Sequence, residues 1–250
     1  MKKLYVVGIG PGDRDSMTGA AVKALTEADL IVGYTTYIGL VKAAFAGDED
    51  FEGKEYFETP MTKEMDRCAY ALTQANGGKT VAMVCSGDAG IYGMASPILE
   101  GAERFPEVEI EVIPGVTAAT AGGALLGAPL GHDFAVISLS DRLTPWEVIE
   151  KRLKAAAAGD FCIALYNPRS HGRKDALEKA VGILLSAGVD AKTPAGVANS
   201  IGREDATIIL SRLDAIPYEE VGMTSTVFIG NSATYIDGVR MITPRGYKKG

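Results

Sequence analysis

The chain has 250 residues, 32 Asp plus Glu against 25 Lys plus Arg, and a formal net charge of −7. A chain this long can bury enough surface to fold without disulfides or structural metal, and Cys68, Cys85 and Cys162 form no C-x-x-C pair that would point to either. An acidic surface repels phosphate backbones, which argues against nucleic acid as a partner, and no apolar run approaches the ~20 residues of a membrane helix.

The first apolar run, residues 4–7, is broken by Gly8 before it could form the core of a signal peptide, so it reads as a strand, while the three isolated cysteines suit a reducing cytoplasm. Strands are expected over 4–7, 30–32, 81–85 and 109–113, with helices over 18–28, 63–75 and 92–104. The pattern pauses at Ile113-Pro114-Gly115-Val116. Beyond it, strands are expected over 134–139, 161–165, 195–198, 207–210 and 225–229, and helices over 145–157 and 173–187. Thr144 is the expected cap of the first of these helices, with Pro145 at its first helical position. This alternation predicts an α/β protein of two α/β domains, residues 1–114 and 115–250, with largely parallel or mixed sheets.

Gly8-Ile9-Gly10-Pro11-Gly12-Asp13 follows a strand and precedes a helix, where glycines let a ligand approach the backbone. It is not a dinucleotide fingerprint, because Asp13 stands where the third glycine is needed and Pro11 removes an amide donor. Gly77-Gly78-Lys79-Thr80 leads into a strand instead of following one, so it reads as a turn and not a phosphate loop. Cys85-Ser86-Gly87-Asp88-Ala89-Gly90-Ile91-Tyr92-Gly93 is a second glycine-rich loop after a strand, at the sheet edge where open α/β proteins collect ligands.

Together with Ile113-Pro114-Gly115-Val116-Thr117-Ala118, these loops resemble the tetrapyrrole methylase superfamily in order and context. The resemblance implies two α/β domains with an S-adenosylmethionine cleft between them. It implies that Pro11, Gly87, Asp88, Ala89, Tyr92, Thr117, Ala118, Tyr166, Ala198 and Thr224 contact the cofactor, which leaves as S-adenosylhomocysteine. Further segments are similar to the branch of that superfamily acting on carbon 17 of precorrin-3B or its cobalt counterpart. They include Gly33-Tyr34-Thr35-Thr36-Tyr37, Gly131-His132-Asp133-Phe134, Ser138-Leu139-Ser140-Asp141, Leu165-Tyr166-Asn167-Pro168-Arg169-Ser170, Ser200-Ile201-Gly202-Arg203-Glu204 and Thr243-Pro244-Arg245-Gly246-Tyr247.

Such a reaction needs positioning and exclusion of water more than a covalent nucleophile, and the sequence has neither a nucleophile elbow nor spaced metal ligands. No protein-bound metal is expected, and any cobalt would arrive inside the substrate. Ring contraction moves protons, for which His132, Asp88 and Asp141 are the candidates; each also has a purely structural reading. A tetrapyrrole carries carboxylates, which Arg142, Arg169, Arg203 and Arg245 would bind, with Arg173 beside them. Tyr34, Tyr37 and Tyr92 either stack on the macrocycle or on adenine, or pack in the core or along helix surfaces. His171 reads as a solvated loop residue, and the resemblance implies a homodimer. The alternatives are a methylase acting at another ring carbon and a non-catalytic S-adenosylmethionine-binding module.

Overall fold

The computed structural model describes residues 2–170 and 172–247, so His171 lies outside the described residues. The backbone divides into two compact units, Met1–Thr117 and Ala118–Gly250.

The first unit runs β1 (Lys3–Gly8), α1 (Gly19–Glu27), β2 (Leu30–Tyr34), α2 (Thr35–Ala44), β3 (Glu55–Thr59), α3 (Glu64–Asn76), β4 (Thr80–Cys85), α4 (Ala95–Gly101) and β5 (Glu109–Ile113). Its five strands are all parallel in the order β3-β2-β4-β1-β5. Central strands of such a sheet are covered on both faces, which is why β1, β2 and β4 read as continuous apolar runs. Tyr5, Val7, Ile31 and Val84 face the cluster that includes Ala21, Leu25, Ile38 and Val41 of α1 and α2. Leu4, Val6, Val32 and Met83 face the opposite cluster, with Cys68 and Leu72 of α3 and Ile98 of α4. The connections from neighbouring strands β1 and β4 therefore leave toward opposite faces, and their loops meet at the carboxyl edge, where such sheets collect ligands.

The second unit runs α5 (Ala118–Leu126), β6 (Gly127–Ala128), β7 (Phe134–Ser138), α6 (Trp146–Ala158), β8 (Cys162–Tyr166), α7 (Ala176–Ser186), β9 (Pro194–Asn199), β10 (Thr207–Arg212), β11 (Thr226–Ile229), β12 (Tyr235–Ile236) and β13 (Met241–Ile242). Its main sheet is mixed, in the order β10-β9-β11-β8-β7, with β7 parallel to β8 and the other neighbours antiparallel. Ile149 and Leu153 of α6 and Leu177, Val181 and Leu184 of α7 fill one face. On the other, α5 packs around Phe228 with the small sheet β12-β13-β6 nearby.

Two local expectations change. Pro145 is itself the cap residue of α6, with ψ 144°, and the helix starts at Trp146, so Thr144 does not cap it. The helix expected over 92–104 begins only at Ala95 and tightens into a 3-10 turn over Ala102–Arg104. Tyr92 has φ +54°, and a left-handed residue cannot sit inside a right-handed helix. Among the described residues no helix is long and apolar enough to cross a membrane.

Candidate active site

At the carboxyl edge of the first sheet three loops are laced together by backbone. Ile9 donates to the Cys85 carbonyl at 2.9 Å, and Gly10 and Gly87 exchange amide bonds of 3.0 and 2.7 Å. Gly10, Gly12 and Gly87 hold φ of +65°, +129° and +70°, which turn peptide groups outward around Pro11. Asp13 closes the first loop, its carboxylate accepting from the Ser16 amide at 2.7 Å and the Ser16 hydroxyl at 2.8 Å. Thr18 caps α1 through the Ala21 amide and donates to the Pro114 carbonyl at 3.1 Å.

Asp88 fastens the second loop to the third. One carboxylate oxygen accepts from the Gly90 amide at 2.8 Å and the other from the Gly115 amide at 3.0 Å. The packing leaves no room for a side chain at Gly115, where a Cβ would lie 2.1 Å from the Gly87 oxygen and 2.5 Å from the Gly8 oxygen. Ala89 is fully buried beneath this knot, while Tyr92 keeps 57% of its surface exposed. Left-handed backbone is costly for a bulky residue, and the arrangement holds the ring at the rim of the loop. Tyr34 ends β2 on the same edge and meets Tyr37 edge-on at 5.2 Å, both rings half-buried. The edge thus presents peptide donors and acceptors with aromatic rims and no cluster of cations, which fits a zwitterionic amino-acid group better than a phosphate.

In the second unit, the carboxyl ends of β7, β8 and β9 and the start of β11 form one edge. Tyr166 hydroxyl accepts from the Ala119 amide at 2.7 Å, which fixes the start of α5 next to Ala118. Asn167, in the left-handed region at φ +53°, donates to Ser138 at 2.9 Å. Asn199 donates to the Glu220 carbonyl at 3.3 Å and accepts from Ser225. Ala198 is buried in β9, and Thr224 is exposed just before β11. Arg173 donates to the Leu139 carbonyl at 3.1 Å and pairs with Asp141 at 3.5 Å, and Arg169 pairs with Glu219 at 3.3 Å. Arg142 and Arg203 have no carboxylate partner among the described residues.

His132 and Arg245 stand elsewhere. Both line a pocket of about 340 Å³ with Asp160 and Asn231, at the edge where β7 and β8 begin and Cys162 bonds the Asp133 carbonyl. The length of β7, ~16 Å, separates them from Asp141 and Tyr166. His132 is largely exposed, and its imidazole lies 3.6 Å from the Asp133 carboxylate. Sequence motifs fix nearness along the chain but not which end of a strand a residue occupies.

Neither Cys68 nor Cys85 is poised as a nucleophile. Burial pushes Cys68 up to about 11 and Cys85 up to about 12, so both stay protonated in the fold. Their contribution to stability is present below the roughly 8.5 of an unfolded thiol and is lost as pH rises through the folded values. A disulfide reagent at mildly alkaline pH is expected to leave Cys68 and Cys85 unlabelled in the native protein and to label all three cysteines in denaturant. Rapid native labelling, located by peptide mapping, would contradict that burial.

Two α/β units carrying this knot of glycine loops place the protein in a known class. The sequence profile of the tetrapyrrole (corrin/porphyrin) methylases matches residues 3–217, and the chain belongs to that family. It is 50% identical over 245 residues to a probable cobalt-factor III C(17)-methyltransferase of Salmonella typhimurium, covering 98% of this chain and 99% of that relative. The crystal structure of the methyltransferase CobJ superposes with a TM-score of 0.88 at 39% identity, over 96% of this chain and 99% of that one. A uroporphyrin-III C-methyl transferase from Thermus thermophilus, complexed with S-adenyl homocysteine, shares the fold at 22% identity and a TM-score of 0.69, over 91% and 92% of the two chains.

Proposed function

We propose that the protein transfers a methyl group from S-adenosylmethionine to carbon 17 of a cobalt-containing precorrin-3-type macrocycle or of precorrin-3B, with contraction of the ring, in cobalamin biosynthesis. The observation that carries the reading is 50% identity, over almost the whole of both chains, to a relative named for methylation at that carbon. That name also favours the cobalt-containing substrate, with the metal arriving as part of the macrocycle.

S-adenosylmethionine, when bound, supplies an electrophilic methyl group. The backbone knot of the first unit suits its amino-acid end, because the glycine loops around Pro11 and Gly87 are held fixed by main-chain bonds and lack side chains at Gly10, Gly12 and Gly87. Asp88, with both oxygens engaged by amides, acts as a positioning residue and not as a base. Thr117 and Ala118, at the start of α5 that Tyr166 fixes, and Ala198 and Thr224 remain assigned to the cofactor. On an acidic protein, the unpartnered Arg142 and Arg203 suit a polycarboxylate substrate. Asp141, paired with Arg173 on that edge, is the carboxylate we assign to proton transfer during contraction. Three free buried cysteines suit a reducing cytoplasm, and a twofold homodimer is the commonest assembly for enzymes of this size.

The test is anaerobic incubation with S-adenosylmethionine and each candidate macrocycle, followed by mass spectrometry and assignment of the methylated carbon by NMR. Gain of one methyl at carbon 17 is expected. Methylation at another carbon, or none despite measured cofactor binding, would retire the substrate.

A further inference from the structure

The second unit holds a pocket of about 250 Å³ lined by Arg169, Ser170, Lys174, Val221, Gly222 and Met223. Its walls are built locally. Arg169 follows β8 and donates to the Tyr218 carbonyl while pairing with Glu219 at 3.3 Å, which clamps the Tyr218–Glu220 turn in place. Ser170 and Arg173 exchange backbone bonds of 3.2 and 3.0 Å, fixing the opposite wall. Val221 is core, and Met223 keeps 49% of its surface exposed beside it, so one side of the pocket is apolar.

The charges do not balance. Glu219 answers Arg169, Asp141 answers Arg173, and the neighbouring Asp175 is taken by Lys179 at 2.8 Å. Lys174 has no carboxylate partner among the described residues, and no Asp or Glu lines the pocket. A compact ammonium with three donors at one end of an apolar wall matches a carboxylate on a short aliphatic arm. It does not match the amino-acid end of S-adenosylmethionine, because the unanswered Lys174 ammonium would repel that group's own ammonium.

We propose that this pocket is a specificity subsite for one peripheral carboxylate arm of the macrocycle, with Lys174 as its anchor and Val221 and Met223 packing against the methylenes. The assignment rests on the proposed methylation of a tetrapyrrole and names the part of the substrate that this edge recognises.

Lys174→Met and Lys174→Arg in the full chain test it, with steady-state kinetics on the macrocycle and calorimetry of S-adenosylhomocysteine binding. Lys174 is exposed, so both variants are expected to fold. Lys174→Met should raise KM for the macrocycle about five- to tenfold and flatten the rise of KM with added salt, while Lys174→Arg should recover most of the loss. The affinity for S-adenosylhomocysteine should not change. An unmoved KM in Lys174→Met, with the wild type active, overturns the subsite alone. So does a cofactor affinity that weakens as much as KM rises, because the pocket would then belong to the cofactor. A wild type inactive on every corrin precursor would remove the function on which the subsite rests, and the subsite with it.

Discussion

Gly115→Ala is expected to destabilise the first unit by about 4 kcal/mol or more, the range reserved for changes that force backbone apart. The added Cβ would lie 2.1 Å from the Gly87 oxygen, 2.5 Å from the Gly8 oxygen and 2.6 Å from the Gly8 carbonyl carbon. All three are main-chain atoms, so no flexible side chain can swing aside. Relief requires pulling the loop after β5 away from the loops after β1 and β4. That movement breaks the Asp88 bond to the Gly115 amide and strains the amide exchange between Gly10 and Gly87. Gly8 is constrained the same way, its Cβ position lying 2.7 Å from the Gly87 oxygen and 2.8 Å from the Gly115 nitrogen.

The matched control is Gly39→Ala, at a position in α2 where a Cβ meets nothing within 4 Å. Alanine in an open helical site should stabilise by roughly 0.5–1 kcal/mol. Urea unfolding followed by circular dichroism separates the two, with a lower midpoint for Gly115→Ala and a slightly higher one for Gly39→Ala. A Gly115→Ala protein within about 1 kcal/mol of wild type would show that the three loops are not packed as described.

Much of this knot is legible in the sequence, because Gly8 to Asp13, Gly87 to Tyr92 and Ile113 to Ala118 each lie at the end of an expected strand and each contain a turn former. Their mutual contact is not legible, since it depends on β4 and β5 both pairing with β1. Helix α2 is hidden because Thr35, Thr36, Tyr37 and Ile38 have strand propensity, and tertiary packing of Ile38 and Val41 decides otherwise. Strand β3 is an edge strand with much of Glu55–Thr59 accessible, so it lacks the apolar run that marks its neighbours. Helix α5 carries Gly122, a poor helix former, because Ile201 and Phe228 press where a side chain would otherwise project. The site residues divide by the same logic. The motif around His132 lies beside the right strand, but at the end remote from Asp141, and only the direction of β7 reveals that.

Asp88→Asn should weaken S-adenosylhomocysteine binding about 10- to 100-fold, nearly as much as Asp88→Ala. The carboxylate offers two oxygens to two amides, those of Gly90 and Gly115. An asparagine has one oxygen, and its nitrogen would face a second N–H, so one loop must let go. Charge-assisted bonds to backbone are worth roughly 1.5–3 kcal/mol each, and 1.4 kcal/mol is about tenfold in affinity. The same substitutions distinguish positioning from proton transfer. If Asp88 were the base, Asp88→Asn would abolish turnover at saturating cofactor and erase the acidic limb of the pH profile. If it only ties the loops, saturating cofactor should recover much of the turnover and the profile should keep its shape, because the titrating group lies elsewhere. Unchanged calorimetric affinity together with a lost acidic limb would return Asp88 to the chemistry and leave the loops held by the glycine contacts alone.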